Sequence, residues 1–230
     1  MFEAVVLMGG FGTRLKSVSG DTPKPMVPVA GQPFVYHLLK KLEKAGCRRI
    51  ILSLHYQAAF IEKKICEDSP VKCQIIFVTE DRPLGTGGGI KLAAKFVTSD
   101  DFLVINGDTY CEIDYLDFYK KSKGNSLVIS GVQVQDASRY GSLQYDAEHN
   151  LTSMTEKGCS GQAVINSGTY FLATTTLAKV DQIEFSFEEF LITGLYRNIK
   201  VYIFEGDFID IGIPEDYLIA CEKLQLRLLF

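Results

Sequence analysis

The segment Met8-Gly-Gly-Phe-Gly-Thr-Arg-Leu15 follows an apolar run, Ala4-Val-Val-Leu7, and precedes Pro23-Lys-Pro-Met26. Such a short apolar run with glycines behind it indicates a buried strand. Three glycines in four positions let the backbone approach a ligand closely, and successive backbone N–H groups in such a turn form an anion site. Arg14 and Lys24 add positive charge. The sequence therefore predicts a strand followed by a loop that binds a polyphosphate.

Strands and helices alternate on the C-terminal side of this loop. We predict a parallel sheet with helices on both faces, because alternating strands and helices build this arrangement. After about residue 110 the pattern changes, and we predict mainly strands joined by turns, with helices only near the end. The predicted strands are 3–8, 49–54, 72–78, 102–105, 127–133, 141–145, 163–172 and 200–204, and the predicted helices are 33–45, 57–66, 87–96, 186–195 and one from Pro214.

Length and composition limit the classes of protein. A chain of 230 residues suffices for one large domain. We predict a single domain over residues 1–230, with two halves at 1–110 and 111–230. A formal net charge of −4 argues against a nucleic-acid surface, so an anionic ligand needs local cations. Scattered cysteines and the absence of a leader pattern or a long apolar run predict a cytoplasmic protein without membrane contact.

The glycine loop fits two well-known phosphate-binding motifs poorly. A P-loop ends in Gly-Lys-Ser or Gly-Lys-Thr, and this chain has Gly12-Thr13-Arg14 instead. A dinucleotide fingerprint needs a third small residue that opens a helix, and Leu15 stands there.

Gly9-Gly-Phe-Gly-Thr-Arg-Leu15 followed by Pro23-Lys-Pro-Met26 resembles the signature of the sugar-1-phosphate nucleotidylyltransferases, the nucleotide-sugar pyrophosphorylases. This resemblance implies the nucleotide-diphospho-sugar transferase fold. That fold is α/β and Rossmann-like, with a mixed, mostly parallel sheet, helices on both faces and a small antiparallel sugar-binding insertion. It also implies an enzyme that joins a nucleoside triphosphate to a sugar 1-phosphate and releases pyrophosphate. The half at 1–110 would then bind the nucleotide and the half at 111–230 the sugar phosphate.

The second glycine segment, Leu84-Gly-Thr-Gly-Gly-Gly89, matches the segment that receives the base and ribose in the family. Glycines at a helix start let a planar ring approach the backbone, and the helix start offers unpaired N–H groups. Glu80 could accept hydrogen bonds from guanine N1–H and the exocyclic amine, or could be a solvated strand end. The residues expected at the nucleotide are Leu7, Gly9, Gly10, Gly12, Thr13, Glu80, Gly85, Thr86 and Gly87.

The family carries its metal-binding aspartates at positions that match Asp108 and Asp210. A carboxylate at the end of a strand suits a hard cation such as Mg²⁺, and Mg²⁺ is the cofactor that we expect. The resemblance implies that Arg14, Lys24, Asp108 and Asp210 are the catalytic residues.

The resemblance also implies a sugar-phosphate site in the second half of the chain. Glu156 would contact sugar hydroxyls, Lys157 would contact the sugar phosphate, and the segment that contains Asn166 and Gly168 would lie under the sugar. The backbone of Tyr140 and Gly141 would border the same sugar. We interpret the aromatic segment from Phe185 to Phe190 as core or interface rather than as part of a ligand site.

Within the family, the segments Pro83–Gly88, Phe185–Phe190 and Phe208–Tyr217 are most similar to the members that join GTP to D-glycero-D-manno-heptose 1-phosphate for bacterial surface glycans. Uridylyltransferases and other nucleotidylyltransferases for amino-sugar, mannose or glucose 1-phosphates remain the alternative. From other classes, a nucleotide-sugar-dependent glycosyltransferase and a non-catalytic nucleotide-sugar-binding regulator remain open. The apolar segment 224–230 indicates a homodimer contact or packing onto the core.

Overall fold

The computed structural model describes residues 1–155, 160–178, 180–193 and 198–227. In chain order its first elements are β1 (Phe2–Met8), α1 (Lys16–Ser19), β2 (Pro28–Val29), β3 (Gln32–Pro33), α2 (Phe34–Lys44), β4 (Cys47–Leu54), α3 (Ala58–Glu67), β5 (Gln74–Thr79), α4 (Gly85–Ala93) and β6 (Asp101–Asn106). There follow β7 (Thr109–Cys111), α5 (Tyr115–Ser122), β8 (Leu127–Val134), β9 (Leu143–Tyr145), β10 (Leu151–Met154), β11 (Ala163–Ala173), α6 (Phe187–Ile192), β12 (Lys200–Phe204), β13 (Phe208–Asp210) and α7 (Pro214–Arg227). Short 3₁₀ helices lie at Thr13–Leu15, Lys24–Met26 and Ala94–Phe96.

Seven strands form one central sheet in the order β12-β8-β11-β6-β1-β4-β5. The strands β6, β1, β4 and β5 pair in parallel, and β12 pairs in parallel with β8. Only β11 runs antiparallel to its neighbours β6 and β8 within this sheet. A separate antiparallel pair, β9 and β10, forms the small insertion. The predicted mixed, mostly parallel α/β fold is therefore confirmed.

The sheet is buried on both faces, which explains why β1 is apolar from Ala4 to Met8. Ala4 and Val6 point to a core that is shared with α2, α3 and α5. Val5 points to the opposite core, which is shared with α4 and α6. Successive side chains of a strand alternate between the two faces, so a strand that is covered on both sides needs apolar residues at each position. Its carboxyl end, where the glycine loop begins, is therefore held firmly in the middle of the sheet.

Two helices were not predicted from the sequence, α1, which has four residues, and the longer α5. Strands and turns were expected soon after residue 110, whereas the structure has the helix α5 there. The carboxylate of Asp114 caps this helix, because it accepts hydrogen bonds from the backbone N–H groups of Leu116 and Asp117, each at 3.0 Å. The helix has only eight residues, and so short a segment shows little helical periodicity in the sequence. Its cap was the signal that could have revealed it.

A third, smaller core joins α7 to the strands near the N-terminal loop. Ala220 and Leu224 of α7 pack with Val29, Ile209 and Ile211. This contact fixes β13 and its terminal residue Asp210. Within the described ranges, no helix is both long enough and apolar enough to cross a membrane. The division of the domain near residue 110 stays a prediction, and the central sheet crosses that point through the pairing of β6 with β11.

Candidate functional site

Two cavities open at the carboxyl end of the central strands. The β1 cavity has a volume of about 330 Å³ and lies beside the ends of β1, β4 and β5. The β11 cavity has a volume of about 440 Å³ and is lined by residues of β11, α6 and β13, among others. Asn106, the last residue of β6, lines both cavities. This edge of an open α/β sheet is where ligands usually bind.

A lysine and two aspartates meet between the two cavities. The Lys24 ammonium donates to Asp108 Oδ2 at 2.6 Å and lies 3.5 Å from Asp210 Oδ1. Asp108 lines the β1 cavity, and Asp210 lines the β11 cavity. The three residues are far apart in sequence, and the structure brings them together as a lysine–aspartate centre. Lys24 therefore contacts one residue from the lining of each cavity.

The ribbon of β7 and β13 sets the position of the two aspartates. These strands pair antiparallel, so that Asp210 lies opposite Thr109, the neighbour of Asp108. A further backbone hydrogen bond joins Ile211 N–H to the Asp108 carbonyl at 3.1 Å. Burial and the negative charge of Asp108 raise the pKa of the Asp210 carboxyl, and Lys24 opposes this rise. The charges of two carboxylates thus face one ammonium.

The glycine loop leaves β1 and returns to the lysine–aspartate centre. Gly12 has φ of +62°, and a Cβ there would lie 3.0 Å from Lys24 Cβ. Gly9 and Gly10 line the β1 cavity together with Leu7. Thr13 and Arg14 are exposed on the same loop and are not among the described residues that line the two cavities. The structure therefore brings Lys24 to the centre and leaves Arg14 at the open, solvent side.

Glu80 is buried at the back of the β1 cavity, only 8% exposed. Its Oε2 accepts from Leu84 N–H at 2.9 Å, and its Oε1 accepts from the Ser53 hydroxyl at 3.4 Å. The interpretation of Glu80 as a solvated strand end is therefore wrong. Each carboxylate oxygen has two lone pairs, so that Glu80 keeps acceptor capacity toward the cavity.

Two of the glycines of α4, Gly87 and Gly88, pack against a neighbouring segment instead of facing the cavity. Gly85 and Thr86 line the β1 cavity, but Gly87 does not. A Cβ at Gly87 would lie 2.1 Å from the Phe185 ring, and the Gly87 and Gly88 N–H groups donate to the Phe185 carbonyl at 3.0 and 3.4 Å. These N–H groups were expected to remain open for a ligand. They are instead used to pack α4 against the segment before α6.

The β11 cavity collects most of the predicted sugar-phosphate residues. Tyr140, Gly141, Asn166 and Gly168 all line it. Asn166 Oδ1 accepts from Gly168 N–H at 3.0 Å, and Gly168 has φ of +72° with its Cα against the Asn106 side chain. The predicted contacts of Glu156 and Lys157 lie outside the described residues. The roles of all these residues stay predictions.

Several residues of the site were missed in the sequence. Asn106 stands beside Asp108 and could have been found as part of the same motif. Glu188 and Glu189 line the β11 cavity. They lie in the first turn of α6, where acids are expected in any case as partners of the helix dipole. The expectation of a core role is correct for Phe187 and Phe190, which are buried, but the acids between them face the cavity. Further residues that line the cavities without having been predicted as site residues include Phe11, Ser53, His55, Pro83, Thr109, Met154, Thr155, Ile192 and Phe208.

A sequence profile described as nucleotidyl transferase matches residues 3–226. The chain belongs to the nucleotidyl transferase family. It is 38% identical to the D-glycero-alpha-D-manno-heptose 1-phosphate guanylyltransferase of Campylobacter jejuni, with 94% of this chain and 96% of the relative covered. It is 34% identical to the enzyme of the same name from Aneurinibacillus thermoaerophilus, with 97% of this chain and 98% of the relative covered.

Among solved structures, the nucleotidyl transferase fold of this chain is similar to that of HddC from Yersinia pseudotuberculosis. Their TM-score is 0.91 at 49% identity, with 97% of this chain and 100% of HddC covered. HddC complexed with GMP-PN gives a TM-score of 0.90 at the same identity and coverage. The resemblance inferred from the glycine loop is therefore confirmed at the level of the family, and the chain is an enzyme of the nucleotidyltransferase class.

Proposed function

We propose that the protein transfers a guanylyl group from GTP to D-glycero-D-manno-heptose 1-phosphate, giving GDP-heptose and pyrophosphate. The observation that carries this proposal is the lysine–aspartate centre, in which Lys24 contacts one carboxylate from each cavity. A nucleotide in the β1 cavity and a sugar phosphate in the β11 cavity would meet at this centre. The names of the relatives from C. jejuni and A. thermoaerophilus support both the base and the sugar.

The reaction needs positioning and charge neutralisation rather than a general base. A sugar 1-phosphate is mostly ionised near neutrality, since the second pKa of such a phosphate is about 6. One of its oxygens attacks the α-phosphorus of GTP, and the bond from that phosphorus to the bridging oxygen of the β-phosphate breaks as pyrophosphate leaves. Fixed cations that face the developing negative charge are the main source of acceleration in such reactions.

We assign the positive groups of the site to separate phosphates. Lys24 lies at the boundary of the cavities and would stabilise charge at the α-phosphorus. The glycine-loop amides and Arg14, which is exposed on the same loop, would hold the leaving β- and γ-phosphates. Lys157 would bring in the sugar phosphate, as the family resemblance implies. The assignment of Lys24 is supported by its position between the two cavities, and those of Arg14 and Lys157 rest on the family resemblance.

The two aspartates fit a divalent cation such as Mg²⁺. Their carboxylate oxygens are hard donors that converge from adjacent strands, and they already share the cationic head of Lys24. Mg²⁺ is usually held by one or two carboxylates together with water and phosphate oxygens. Asp108 and Asp210 would hold it, and when bound it supplies further neutralisation of phosphate charge.

We assign recognition of the base to Glu80. A carboxylate that is buried at the back of the β1 cavity accepts hydrogen bonds and cannot donate them. Guanine offers N1–H and an exocyclic amine as adjacent donors, whereas adenine and cytosine offer no such pair on their Watson–Crick edge. The backbone N–H of Leu84 fixes the orientation of the carboxylate. GTP is therefore the triphosphate that this cavity suits.

A matrix of substrates tests the proposal. GTP, UTP, CTP, ATP and dTTP are each mixed with Mg²⁺ and with heptose, mannose, glucose or amino-sugar 1-phosphates, and release of pyrophosphate is measured. We expect the highest kcat/KM for GTP with D-glycero-D-manno-heptose 1-phosphate. A better rate for UTP with an amino-sugar phosphate would overturn both assignments. Absence of pyrophosphate release with every pair would favour a glycosyltransferase or a non-catalytic regulator instead.

The place of the reaction and the assembly of the protein are also proposals. We place the enzyme in the cytoplasm, because nucleoside triphosphates and sugar phosphates are cytoplasmic metabolites and because the described cysteines are free thiols. We also propose a homodimer contact along α7, on which Leu218, Ile219 and Leu226 are exposed.

A further inference from the structure

Glu188 connects the two cavities through its carboxylate. It lies in the first turn of α6 and lines the β11 cavity. Its Oε2 accepts a hydrogen bond from the Thr86 hydroxyl at 2.6 Å. Thr86 lies in the first turn of α4 and lines the β1 cavity. A single short hydrogen bond thus joins residues of both cavities that are more than a hundred positions apart in sequence.

The Thr86 hydroxyl has partners for both its donor and one of its acceptor positions within the protein. It donates to Glu188, and it accepts from the Phe187 backbone N–H at 2.8 Å. A threonine hydroxyl has only one proton to donate. Its proton is therefore committed to α6 and is not available to a nucleotide. We conclude that Thr86 serves to fix Glu188, whereas its sequence position alone suggested contact with the ligand.

Glu188 also forms a hydrogen bond with the buried Tyr170. Burial raises the pKa of Tyr170 well above its ordinary value, and the charge and hydrogen bond of Glu188 raise it further. The Tyr170 hydroxyl accepts from Asn166 Nδ2 at 2.8 Å, so that its own proton is free to point toward Glu188. The carboxylate is thereby linked to Asn166, which lines the same cavity.

The partners of Glu188 among the described residues are hydroxyl groups rather than cations. They are the hydroxyls of Thr86, Ser186 and Tyr170, and none of the ion pairs found in the described ranges includes Glu188. A carboxylate can accept about four hydrogen bonds, and bonds from hydroxyls to an ionised oxygen are short and strong. A carboxylate that is oriented by hydroxyls and faces a cavity is chemically suited to bind further hydroxyls.

We propose that Glu188 recognises the sugar by accepting hydrogen bonds from its hydroxyl groups, while Thr86 fixes the carboxylate relative to the nucleotide segment. This inference rests on the proposed function, because it requires a sugar phosphate in the β11 cavity. It adds a sugar-binding residue from α6 to those of the β9–β11 region. It also couples the two substrate sites, because Thr86 of α4 is hydrogen-bonded to Glu188. A movement of α4 on nucleotide binding would therefore move Glu188.

The test compares Glu188→Gln with Thr86→Val and Thr86→Ser. Glutamine keeps an oxygen that can accept from Thr86 but lacks the charge, valine removes the donor, and serine restores it. For Glu188→Gln we expect the KM of the sugar phosphate to rise roughly 10- to 100-fold, the range for loss of a hydrogen bond to a charged group. The KM of GTP should change by about twofold or less. Thr86→Val should show a smaller rise that Thr86→Ser reverses.

Singly deoxygenated sugar 1-phosphates separate direct contact from a structural role. If Glu188 binds one hydroxyl, the analogue that lacks this hydroxyl should lose affinity for the wild-type enzyme but lose little more in Glu188→Gln. Glu184→Gln, an exposed glutamate that precedes α6, is the matched control and should behave as the wild type. Thermal unfolding of every variant shows whether the fold is intact.

Two results would overturn the inference. One is a Glu188→Gln enzyme with an unchanged KM for the sugar phosphate, and the other is an equal loss for every deoxygenated analogue in wild type and variant. If the wild-type enzyme prefers another sugar phosphate, the proposed function fails in its substrate, and the same comparison is then made with the preferred sugar. Failure of the proposed function and failure of this inference are thus distinguishable.

Discussion

The β1 cavity and the β11 cavity differ in how they are built. Most of the β1 cavity is formed where β1, β4 and β5 end, by short continuous segments such as Gly9–Phe11 and Gly85–Thr86. The β11 cavity is formed by side chains from β6, β7, β10, β11, α6, β13 and the loop before β9. The first is a property of the parallel sheet edge, where ligands bind in many α/β folds. The second depends on the particular insertions of this chain.

This difference explains what each cavity can select. The glycine segments of the β1 cavity suit the phosphates that all nucleoside triphosphates share, and in this cavity only Glu80 is assigned to the choice of base. A cavity made of side chains from many segments can vary one residue at a time, and thereby the sugar that is accepted. The lysine–aspartate centre lies at the boundary between the two. Variants at the boundary, in the first cavity and in the second therefore give separate tests of this division.

The largest effect is expected at the boundary, for Lys24→Ala. Loss of a fixed cation that faces developing charge lowers turnover by about 10²- to 10³-fold in comparable sites. Binding of GTP should weaken far less, because the glycine loop and Arg14 remain. Turnover is measured with saturating substrates, and GTP affinity by titration calorimetry.

Lys63→Ala is the matched control for Lys24→Ala. Its ammonium is exposed on α3 and pairs only weakly with Glu67 at 3.8 Å. Its removal should leave kcat within about twofold, as expected of an exposed ion pair. Unchanged turnover in Lys24→Ala would contradict the assignment of Lys24. If GTP affinity fell as much as turnover, Lys24 would act only in binding the triphosphate and not in stabilising charge at the boundary between the cavities.

A smaller effect is expected within the β1 cavity, for Glu80→Gln. The amide keeps one acceptor but brings a donor toward the guanine N1–H and amine. We expect kcat/KM for GTP to fall roughly 10- to 100-fold, the range for a charged hydrogen bond. The loss should be smaller for ITP, whose base lacks the exocyclic amine. Rates of pyrophosphate release with the two triphosphates provide the measurement.

Glu62→Gln, an exposed glutamate on α3, controls for the change of charge. Equal losses for GTP and ITP in Glu80→Gln would show that Glu80 does not contact the exocyclic amine, because the base of ITP keeps N1–H. In that case the β1 cavity would not select guanine by its amine. Substrate selection would then depend more on the β11 cavity and less on the β1 cavity.

The same contrast explains what could be predicted from the sequence. The strands of the central sheet, the sheet class and the glycine loop were predictable, because regular apolar spacing and a contiguous motif report local structure directly. Lys24, Asp108 and Asp210 could be named through family resemblance, but their distances depend on the pairing of β7 with β13. Nothing local in the sequence indicates this pairing.

Two errors show the limit more clearly. The glycines of α4 were interpreted as space for a ligand, whereas Gly87 makes room for Phe185 from a segment about a hundred residues away. Glu188 was not predicted as a site residue, because an acid in the first turn of a helix is already explained by its interaction with the helix dipole. In both cases the neighbouring sequence already gave an explanation for the residue. Its contact with a residue about a hundred positions away, Phe185 for Gly87 and Thr86 for Glu188, became visible only in the folded structure.

The smallest effect is expected at the edge of the β11 cavity, for Arg139→Ala. The Arg139 guanidinium binds Asp216 in the first turn of α7, with one of its two hydrogen bonds at 3.1 Å, and lies 5.5 Å from the Tyr140 ring. It thereby ties the loop of Tyr140 to the helix that follows Asp210. The pair is partly exposed, so that its loss should lower the free energy of unfolding by about 1 kcal/mol or less.

The KM of the sugar phosphate should rise about two- to fivefold in Arg139→Ala, which corresponds to a similarly small free energy, and the KM of GTP should stay constant. Lys121→Ala breaks a comparable exposed pair with Asp117 on α5 and should alter neither constant. A rise in both KM values would indicate that Arg139 supports the lysine–aspartate centre rather than the sugar. The two cavities would then be coupled through α7 as well as through Glu188. The boundary between them would include Arg139 and Asp216 in addition to Lys24 and its two carboxylates.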